Sequence, residues 1–270
     1  MRIDDARRLS GICSADAEVL LAYVLGRSRA WLLAHGDDAL PEDRITIWQE
    51  MLRRRRNHEP IAYIIGEKEF YGRMFSVTPS TLIPRPATEG LVELALDVLD
   101  GKVRSAYHSI DVDIVAYANI WGEVPAHPLI TDIGTGSGCI AITLCYERPA
   151  LRAMATDISE DALAVARVNA KTHGITDRID FRHGNLLEPI GVISSPFLIV
   201  SNPPYVADTF VTDAEVDFEP RSAIYAGTEG MGVLRLLLRA AKAHPRCIGC
   251  IVECRENHIP EIQQISNEAY

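Results

Sequence analysis

The chain has 270 residues, 47% of them hydrophobic, and a formal net charge of −10. Its apolar runs all fall short of the ~20 residues that a membrane-spanning helix needs, so the sequence predicts one or two globular domains with ample core and no membrane partner. The acidic balance excludes a surface devoted as a whole to nucleic acid, and we expect no direct nucleic-acid partner. The N-terminus mixes charges from Arg2 onward and lacks the apolar segment of a secretory signal, which makes a cytoplasmic location the expectation.

Residues 1–58 predict a small helical bundle. Ser14 is a suitable N-cap for the apolar run 15–25, a shorter helix is expected at 31–34, and a longer one follows Pro41. This longer helix ends in four consecutive arginines, 53–56. Arginine runs can bind RNA, but positive charge in the last turn of a helix also complements the helix dipole, and this structural interpretation is favoured.

Residues 59–80 predict a β-hairpin linker, with short strands at 62–66 and 69–77. The segment 82–86 then leads into a helix that extends to Leu99, and residues 81–270 form the expected second domain. Between Leu99 and Pro128 the sequence does not indicate whether the residues form an ordered insertion.

From Pro128 onward, strand-like and helix-like segments alternate, which predicts an α/β domain with a mostly parallel sheet and crossover helices. Strands are expected at 129–133, 151–156, 179–181, 196–201 and 248–253. Because open α/β sheets bind their ligands at the carboxyl ends of the strands, the residues that follow these strands are the candidate site.

A glycine-rich turn, Gly134-Thr135-Gly136-Ser137-Gly138, follows the first of these strands. Dinucleotide-binding proteins use G-x-G-x-x-G/A, and the third small position of that pattern is occupied here by Cys139. Asp157 ends the second strand about 20 positions later, where an acidic residue can hold ribose hydroxyls. Since the turn has no dedicated phosphate-binding lysine, it suits a nucleoside without a phosphate, and we expect S-adenosylmethionine as the cofactor.

The tetrapeptide Asn202-Pro203-Pro204-Tyr205 follows the fourth strand and suits the binding of a planar nitrogen. An amide or exocyclic amino nitrogen shares its lone pair with a π system, so it must be oriented to react. The side-chain carbonyl of Asn202 and the backbone carbonyl of Pro203 can each accept one N–H, the prolines hold these acceptors rigid, and Tyr205 offers a face for stacking. Asn202, Pro203 and Tyr205 are therefore the candidate catalytic residues, and all four residues are candidates for substrate binding.

The six cysteines are scattered, and only Cys247, Cys250 and Cys254 cluster. Cys250 and Cys254 alternate with Val252 along a predicted strand, and no second ligand pair stands nearby. Structural thiols are therefore favoured over a metal site, and we expect no metal.

Six segments occur in a characteristic order: Ile61 to Gly66, Phe70-Tyr71-Gly72, Leu82 to Glu89, Asp132 to Gly138, Ser201 to Tyr205 and Phe218-Glu219-Pro220. In this order they resemble the protein-(glutamine-N5) methyltransferases of the HemK type, which act on peptide chain release factors. The resemblance covers nearly the whole chain. Its most specific parts are the Pro-Arg-Pro-x-Thr-Glu segment and Phe-Glu-Pro, because the glycine turn and Asn-Pro-Pro-Tyr also occur in methylases of adenine or guanine amino groups.

The resemblance implies a Rossmann-like, class I S-adenosylmethionine-dependent methyltransferase fold with a helical N-terminal domain that engages the substrate protein. It implies S-adenosylmethionine as methyl donor and, as substrate, the glutamine of the Gly-Gly-Gln loop in class 1 peptide chain release factors, methylated at N5.

The resemblance also implies a role for each matching residue. Asp132 and the turn Gly134 to Gly138 line the cofactor, Asp157 binds its ribose, and Asn185 and Leu186 flank its adenine. Asn202 lies between the methyl donor and the target amide, while Pro203, Pro204 and Tyr205 shape the substrate pocket.

The chain departs from the family pattern in four places, one of which is the stretch between Leu99 and Pro128, where it has more residues than the family normally uses. Asn185 stands where aspartate is usual, so the hydrogen bond to the adenine amino group would come from a neutral carbonyl, and Ala87 stands where glutamate is usual. The family would continue beyond Tyr270 into two further strands. The sequence therefore predicts a methyltransferase domain that lacks its last two strands and has an exposed sheet edge.

The expected reaction is direct in-line transfer, in which orientation of the two reactants can contribute roughly 7–11 kcal/mol. Three alternatives stay open: a glutamine methyltransferase of a ribosomal protein, an amino-methyltransferase of nucleic acid, and a truncated cofactor-binding remnant without activity. The nucleic-acid enzyme is expected to carry a strongly basic groove or a target-recognition domain, and the sequence indicates neither.

Overall fold

The structure is a computed structural model that describes residues 1–267. The chain divides into two compact units. The helical unit comprises Met1–Glu67 and Thr212–Phe218, and the α/β unit comprises Lys68–Val211 and the chain from Glu219 onward. Within the described range, every helix is too short or too polar to cross a membrane.

The helical unit contains five α-helices. They are α1 (Ile3–Arg8), α2 (Ser14–Leu25), α3 (Arg29–Ala34), α4 (Glu42–Arg56) and α5 (Ile61–Ile65). Their apolar faces enclose a core in which Leu20, Leu21 and Trp48 are buried. Gly26 ends α2 in the left-handed conformation (φ 61°), and the Ser28 hydroxyl accepts the Trp31 N–H at the start of α3. The helices predicted at 15–25, at 31–34 and after Pro41 are thus confirmed, but the N-cap of α2 is Cys13 rather than the predicted Ser14.

Helix α5 corrects the prediction of a strand at 62–66. Its backbone hydrogen bonds join residues three or four positions apart, as in a helical turn, rather than residues of a neighbouring strand. The carbonyl of Pro60 accepts the N–H groups of Tyr63 and Ile64, and Gly66 ends the helix at φ 81°. A turn of helix forms here because proline and a left-handed glycine bracket the apolar run.

The α/β unit begins with a two-stranded hairpin and continues with a seven-stranded sheet and its helices. Its strands are β1 (Glu67–Phe70), β2 (Arg73–Ser76), β3 (Ser105–Asp111), β4 (Ile114–Ile120), β5 (Leu129–Ile133), β6 (Arg152–Asp157), β7 (Ile179–His183), β8 (Phe197–Ser201) and β9 (Cys247–Arg255). Its helices are α6 (Ala87–Leu99), α7 (Cys139–Glu147), α8 (Glu160–Thr172), α9 (Gly232–Ala243) and α10 (Ile259–Asn267).

The large sheet has the strand order β3-β4-β9-β8-β5-β6-β7. All pairs from β9 to β7 are parallel, and β3 and β4 are antiparallel to their neighbours. Helices cover both faces: α6 and α7 pack on one through residues such as Leu91 and Ile140, and α9 and α10 on the other through Leu234 and Ile262. The predicted α/β fold with a mostly parallel sheet is confirmed.

Strand β5 lies at the point where the direction of winding reverses. The chain runs from β5 to β6 and β7 on one side, then crosses to β8 and β9 on the other. In open α/β sheets such a reversal opens a crevice at the carboxyl ends of the central strands. The fold therefore places the residues after β5, β6 and β8 around one crevice.

The segment that the sequence left without an assignment forms the hairpin β3–β4. Its register pairs Ile114 with Arg255 and Ile120 with Gly249, so β4 covers the outer edge of β9. Strand β9 is therefore not the exposed edge that a loss of strands would leave, because an internal segment of the chain supplies antiparallel strands beside it.

Candidate active site

A cavity of about 440 Å³ lies at the carboxyl ends of β5, β6 and β8. Its wall includes four predicted regions: the glycine turn, Asp157, the pair Asn185 and Leu186, and the run Asn202 to Pro204. A concave site of this size is sufficient for a nucleoside-sized ligand. The structure therefore brings most of the predicted cofactor residues and three of the four predicted substrate residues, Asn202, Pro203 and Pro204, to one cavity.

The glycine turn approaches the cavity with its backbone. Gly134 and Gly136 have φ values of 69° and 55°, and a Cβ added to either would meet no atom within 4 Å. The space beside Gly134 and Gly136 is therefore empty, so a side chain would fit there. Glycine is nevertheless required, because the left-handed backbone conformation is strained for other residues. Gly138 differs, because an added Cβ would lie 2.9 Å from the Ile142 Cδ1 and 3.1 Å from the Ala166 Cβ. The first two glycines leave space for a ligand, and the third allows α7 and α8 to pack.

Asp132 supports this turn from behind. It is fully buried and does not line the cavity. Its Oδ2 accepts hydrogen bonds from the Thr135 hydroxyl at 2.7 Å and from the Ala141 N–H at 3.2 Å, while Oδ1 has no partner within residues 1–267. Burial raises the pKa of Asp132 to about 7. Of the residues predicted to bind the cofactor, Asp132 and Gly138 are the two that do not line the cavity.

Asp157 is held at the end of β6 by two backbone groups. The Gly136 N–H donates to its Oδ2 and the Ser159 N–H donates to its Oδ1, both at 2.9 Å. Burial raises the pKa of Asp157, and these hydrogen bonds act in the opposite direction. Each carboxylate oxygen has further acceptor capacity, so the group can receive hydroxyl donors from the cavity.

Apolar side chains flank Asp157 at the cavity wall. Ile158, which the sequence analysis did not identify, lines the cavity although it is 62% exposed. Leu186 lies in the left-handed conformation (φ 48°), and its carbonyl accepts the Thr156 hydroxyl at 3.2 Å. An apolar residue directly after the last residue of a strand was the signal that could have identified Ile158.

The amide of Asn202 is tied to the start of α6. Its Nδ2 donates to the Thr88 Oγ1 at 3.0 Å, and the Thr88 hydroxyl donates to the Glu253 Oε2 at 2.8 Å. The register that pairs Ser201 with Val252 brings Asn202 beside Glu253 at the same end of the sheet. Neither Thr88 nor Glu253 was identified from the sequence as a site residue.

The side chain of Tyr205 has a different location from the other three residues of the tetrapeptide. Its hydroxyl donates to the Glu253 Oε1 at 2.7 Å. The pKa of the Tyr205 hydroxyl is raised, mainly because the group is buried. Tyr205 lines a second cavity, of about 600 Å³, with Phe210 and Arg255, rather than the first. The stacking face predicted for Tyr205 therefore lies outside the wall of the first cavity.

Two of the segments that carry the sequence resemblance, Leu82 to Glu89 and Phe218-Glu219-Pro220, meet beside the first cavity. Glu219, from Phe-Glu-Pro, is buried, and its Oε2 accepts the Ile83 N–H at 3.0 Å while its Oε1 pairs with the Arg85 guanidinium. Arg85 itself lines the cavity. A backbone donor and a guanidinium thus compensate the buried carboxylate, which fixes the segment 83–85 against the chain that follows the tetrapeptide.

The arginine run of α4 is engaged within the helical unit. Its partners are Glu50 for Arg53, Glu59 for Arg54, Asp16 and Glu215 for Arg55, and the Ser10 carbonyl for Arg56. These contacts support the structural interpretation of the run. In addition, Arg54 donates to the carbonyls of Tyr63 and Ile64 at the end of α5.

The three clustered cysteines lie buried in β9 as free thiols. Burial raises the pKa of the Cys254 thiol to about 12, so it stays protonated at neutral pH. Among the described residues, no group of three or more His, Cys, Asp or Glu side chains is arranged to hold a metal ion.

Comparison with known proteins defines the class and then the family. The hMettl16 catalytic domain, solved in complex with the MAT2A 3′UTR hairpin 1, superposes with a TM-score of 0.52 over 85% of this chain and 74% of that one, at 13% identity. Two family models match: the PrmC N-terminal domain over residues 8–66 and the Methyltransferase small domain over residues 123–218. The fold and these matches define a class I methyltransferase.

Two relatives identify the family. The release factor glutamine methyltransferase of Nitratidesulfovibrio vulgaris is 42% identical over 84% of this chain and 68% of its own length. That of Xylella fastidiosa strain Temecula1 is 39% identical over 88% of this chain and 78% of its own length. The chain belongs to the release factor glutamine methyltransferase family, which confirms the resemblance recognised in its sequence.

Proposed function

We propose that this chain transfers a methyl group from S-adenosylmethionine to the side-chain N5 of the glutamine in the Gly-Gly-Gln loop of class 1 peptide chain release factors. The observation that carries the proposal is that Asn202 and Asp157 line the same cavity as the glycine turn. The names of the relatives support the substrate, since both are release factor glutamine methyltransferases.

The residues present fit S-adenosylmethionine. The open side of Gly134 and Gly136 leaves room for a ligand against the backbone, and Asp157 offers two oriented acceptors for ribose hydroxyls. Ile158 and Leu186 provide apolar surface for an adenine, next to Asn185. Thr135 and Ser137 belong to the same turn, and Asp132 holds it in shape. When bound, the cofactor supplies a methyl group activated by a sulfonium.

Asn202 and Pro203 would align the target nitrogen. The Asn202 Oδ1 and the Pro203 carbonyl are two acceptors for the two N–H groups of a primary carboxamide, and this fixes the direction of the nitrogen lone pair. With the methyl donor bound, the target nitrogen would gain one N–C bond as the sulfonium S–C bond breaks, and the nitrogen would release its proton to water. Orientation of this kind can contribute roughly 7–11 kcal/mol to lowering the barrier. Pro204 is part of the same cavity wall and limits the space around the amide.

We further infer a division of labour along the chain. Residues 1–58 engage the substrate protein, residues 59–80 link the domains, and residues 81–270 carry the chemistry. The match of residues 8–66 to the PrmC N-terminal domain supports a family-specific role for the first segment. Release factors act at the ribosome, so a cytoplasmic location follows from this substrate.

The test is methyl transfer from labelled S-adenosylmethionine to a purified class 1 release factor, followed by mapping of the labelled residue by mass spectrometry. Ribosomal proteins, rRNA and DNA are incubated in parallel with the same enzyme. A release factor in which the Gly-Gly-Gln glutamine is replaced by alanine serves as the matched control. We expect label on that glutamine of the release factor and none on the alanine variant.

Three results would overturn the proposal. Label on a ribosomal protein would assign the other glutamine substrate, and label on nucleic acid would assign an amino-methyltransferase. Binding of S-adenosylmethionine in calorimetry without transfer to any of these substrates would identify a remnant that has lost catalysis.

A further inference from the structure

Three side chains of the α/β unit converge on the carboxylate of Glu253. The carboxylate is fully buried at the end of β9. It accepts the Tyr205 hydroxyl through Oε1 and the Thr88 hydroxyl through Oε2, and the Asn202 amide also stabilises its charge. Burial raises the pKa of Glu253, and the hydrogen bonds from Tyr205, Thr88 and Asn202 oppose this shift. An ionised carboxylate buried in this way destabilises the folded protein unless its neighbours donate hydrogen bonds to it.

The direction of these hydrogen bonds determines the orientation of the Asn202 amide. A threonine hydroxyl has one proton, and Thr88 donates it to Glu253 at 2.8 Å. The Thr88 Oγ1 can then only accept from Asn202, and the Asn202 group that donates to it is Nδ2, at 3.0 Å. The remaining group of the amide, Oδ1, is left for the cavity that Asn202 lines.

We propose that Thr88 and Glu253 are positioning residues that select one of the two flipped orientations of the Asn202 amide, so that Oδ1 meets the N–H of the target carboxamide. This inference rests on the proposed function. In the opposite orientation the Nδ2 donor of Asn202 would face the N–H donor of the substrate, and the target nitrogen would lose one of its two acceptors. The Thr of the Pro-Arg-Pro-x-Thr-Glu segment thereby acquires a role in the reaction.

The sharpest variant is Thr88→Val, which keeps the shape of the side chain and removes the hydroxyl. The Asn202 Nδ2 then loses the Thr88 Oγ1 as an acceptor, and Glu253 loses one of its three donors. We expect kcat to fall about 100-fold, the cost of a misplaced reactive group, with the Kd for S-adenosylmethionine within about twofold of the original. Thr88→Ser retains the hydroxyl and should recover most of the turnover.

Glu253→Gln is the second variant. A glutamine presents one acceptor and one donor, so it cannot accept from both Tyr205 and Thr88. We expect a loss of kcat of similar size. The matched control is Thr143→Val on α7, because Thr143 is equally buried and its hydroxyl has no hydrogen-bond partner in the part of the chain that the structure describes. That variant should retain full turnover and thermal stability.

A double-variant cycle separates positioning from a purely structural role. If Thr88 acts through Asn202, Thr88→Val should reduce turnover in the original chain and have little further effect in the Asn202→Ala background. Full turnover in Thr88→Val, or equal losses in both backgrounds, would refute the inference. Failure of the unsubstituted enzyme to methylate any release factor would instead refute the proposed function, so the two outcomes are distinct.

Discussion

Asp157 is the residue on which recognition of the cofactor is expected to depend most. Its two oxygens are oriented by the Gly136 and Ser159 N–H groups before any ligand binds, so little ordering remains to be done on binding. We expect Asp157→Ala to weaken S-adenosylmethionine binding about 10- to 100-fold, as the loss of hydrogen bonds to a charged group implies. Isothermal titration calorimetry measures this change directly.

The control for this prediction is Asp161→Ala, which removes an exposed carboxylate from the first turn of α8, four residues away. The Asp161→Ala variant should bind S-adenosylmethionine with the same affinity as the original chain. An unchanged affinity in Asp157→Ala itself would mean that the ribose is bound elsewhere, and the assignment of the cavity would have to be revised.

Some residues of this site could be predicted from the sequence, and others could not. Asp157 was predicted because it ends a strand at a known distance from a glycine turn, and Asn202 because it follows an apolar strand. Both are local signals. Thr88 and Glu253 are far from Asn202 in sequence and meet it only through the position of α6 and the register of β8 with β9. No local pattern contains that information.

At the scale of elements, strands and helices with strong apolar patterns were predicted with nearly their observed bounds, as β5 (Leu129–Ile133) illustrates. The short apolar run of α5 was assigned to a strand because β-branched residues favour strands. The hairpin β3–β4 was not predicted at all. Its partner, β9, is remote in sequence. Hydrophobic periodicity reports which positions of a strand are buried, but it does not indicate which remote strand it pairs with.

Gly249 allows the hairpin to pair closely with β9. An added Cβ would lie 2.9 Å from the carbonyl oxygen of Asn119 and 3.0 Å from the Cα of Ile120, both backbone atoms of β4. We expect Gly249→Ala to lower the free energy of unfolding by about 1–3 kcal/mol, since the strands cannot separate locally without loss of hydrogen bonds. Urea denaturation monitored by circular dichroism measures this change.

The same hairpin provides a control for this prediction. Ser109→Ala changes an exposed residue of β3 and should alter stability by less than about 0.5 kcal/mol. If Gly249→Ala were as stable as the original chain, the close pairing of β4 with β9 would be contradicted.

At the scale of the whole molecule, the chain leaves the α/β unit after Val211, contributes Thr212–Phe218 to the helical unit, and returns at Glu219. Arg55 holds this excursion within the helical unit, because its guanidinium pairs with Glu215 at 2.6 Å and with Asp16 at 2.7 Å. The arginine side chain is only 16% exposed. Two carboxylates and one guanidinium therefore connect α2, α4 and the excursion.

We expect Arg55→Met to destabilise the helical unit by about 1–3 kcal/mol, because it leaves two carboxylates without their shared cation. The segment 212–218 should then be cleaved faster in limited proteolysis. Arg53→Met is the matched control from the same run, since Arg53 is 64% exposed and solvent screens its attraction to Glu50. Equal cleavage of both variants would show that Arg55 does not hold the segment.

The place of the hairpin β3–β4 in the chain has a consequence for biosynthesis. Ile114 and its neighbours leave the ribosome well before Arg255 and the rest of β9 are translated, yet the register joins these strands. Until β9 is translated, the backbone donors and acceptors of β4 that later face β9 have no strand partner and bond to water instead. Contacts between remote segments form slowly, and an unpaired row of this kind attracts other chains. The yield of folded protein on overexpression should accordingly rise when chaperones are co-expressed, even if the folded protein itself is thermally stable.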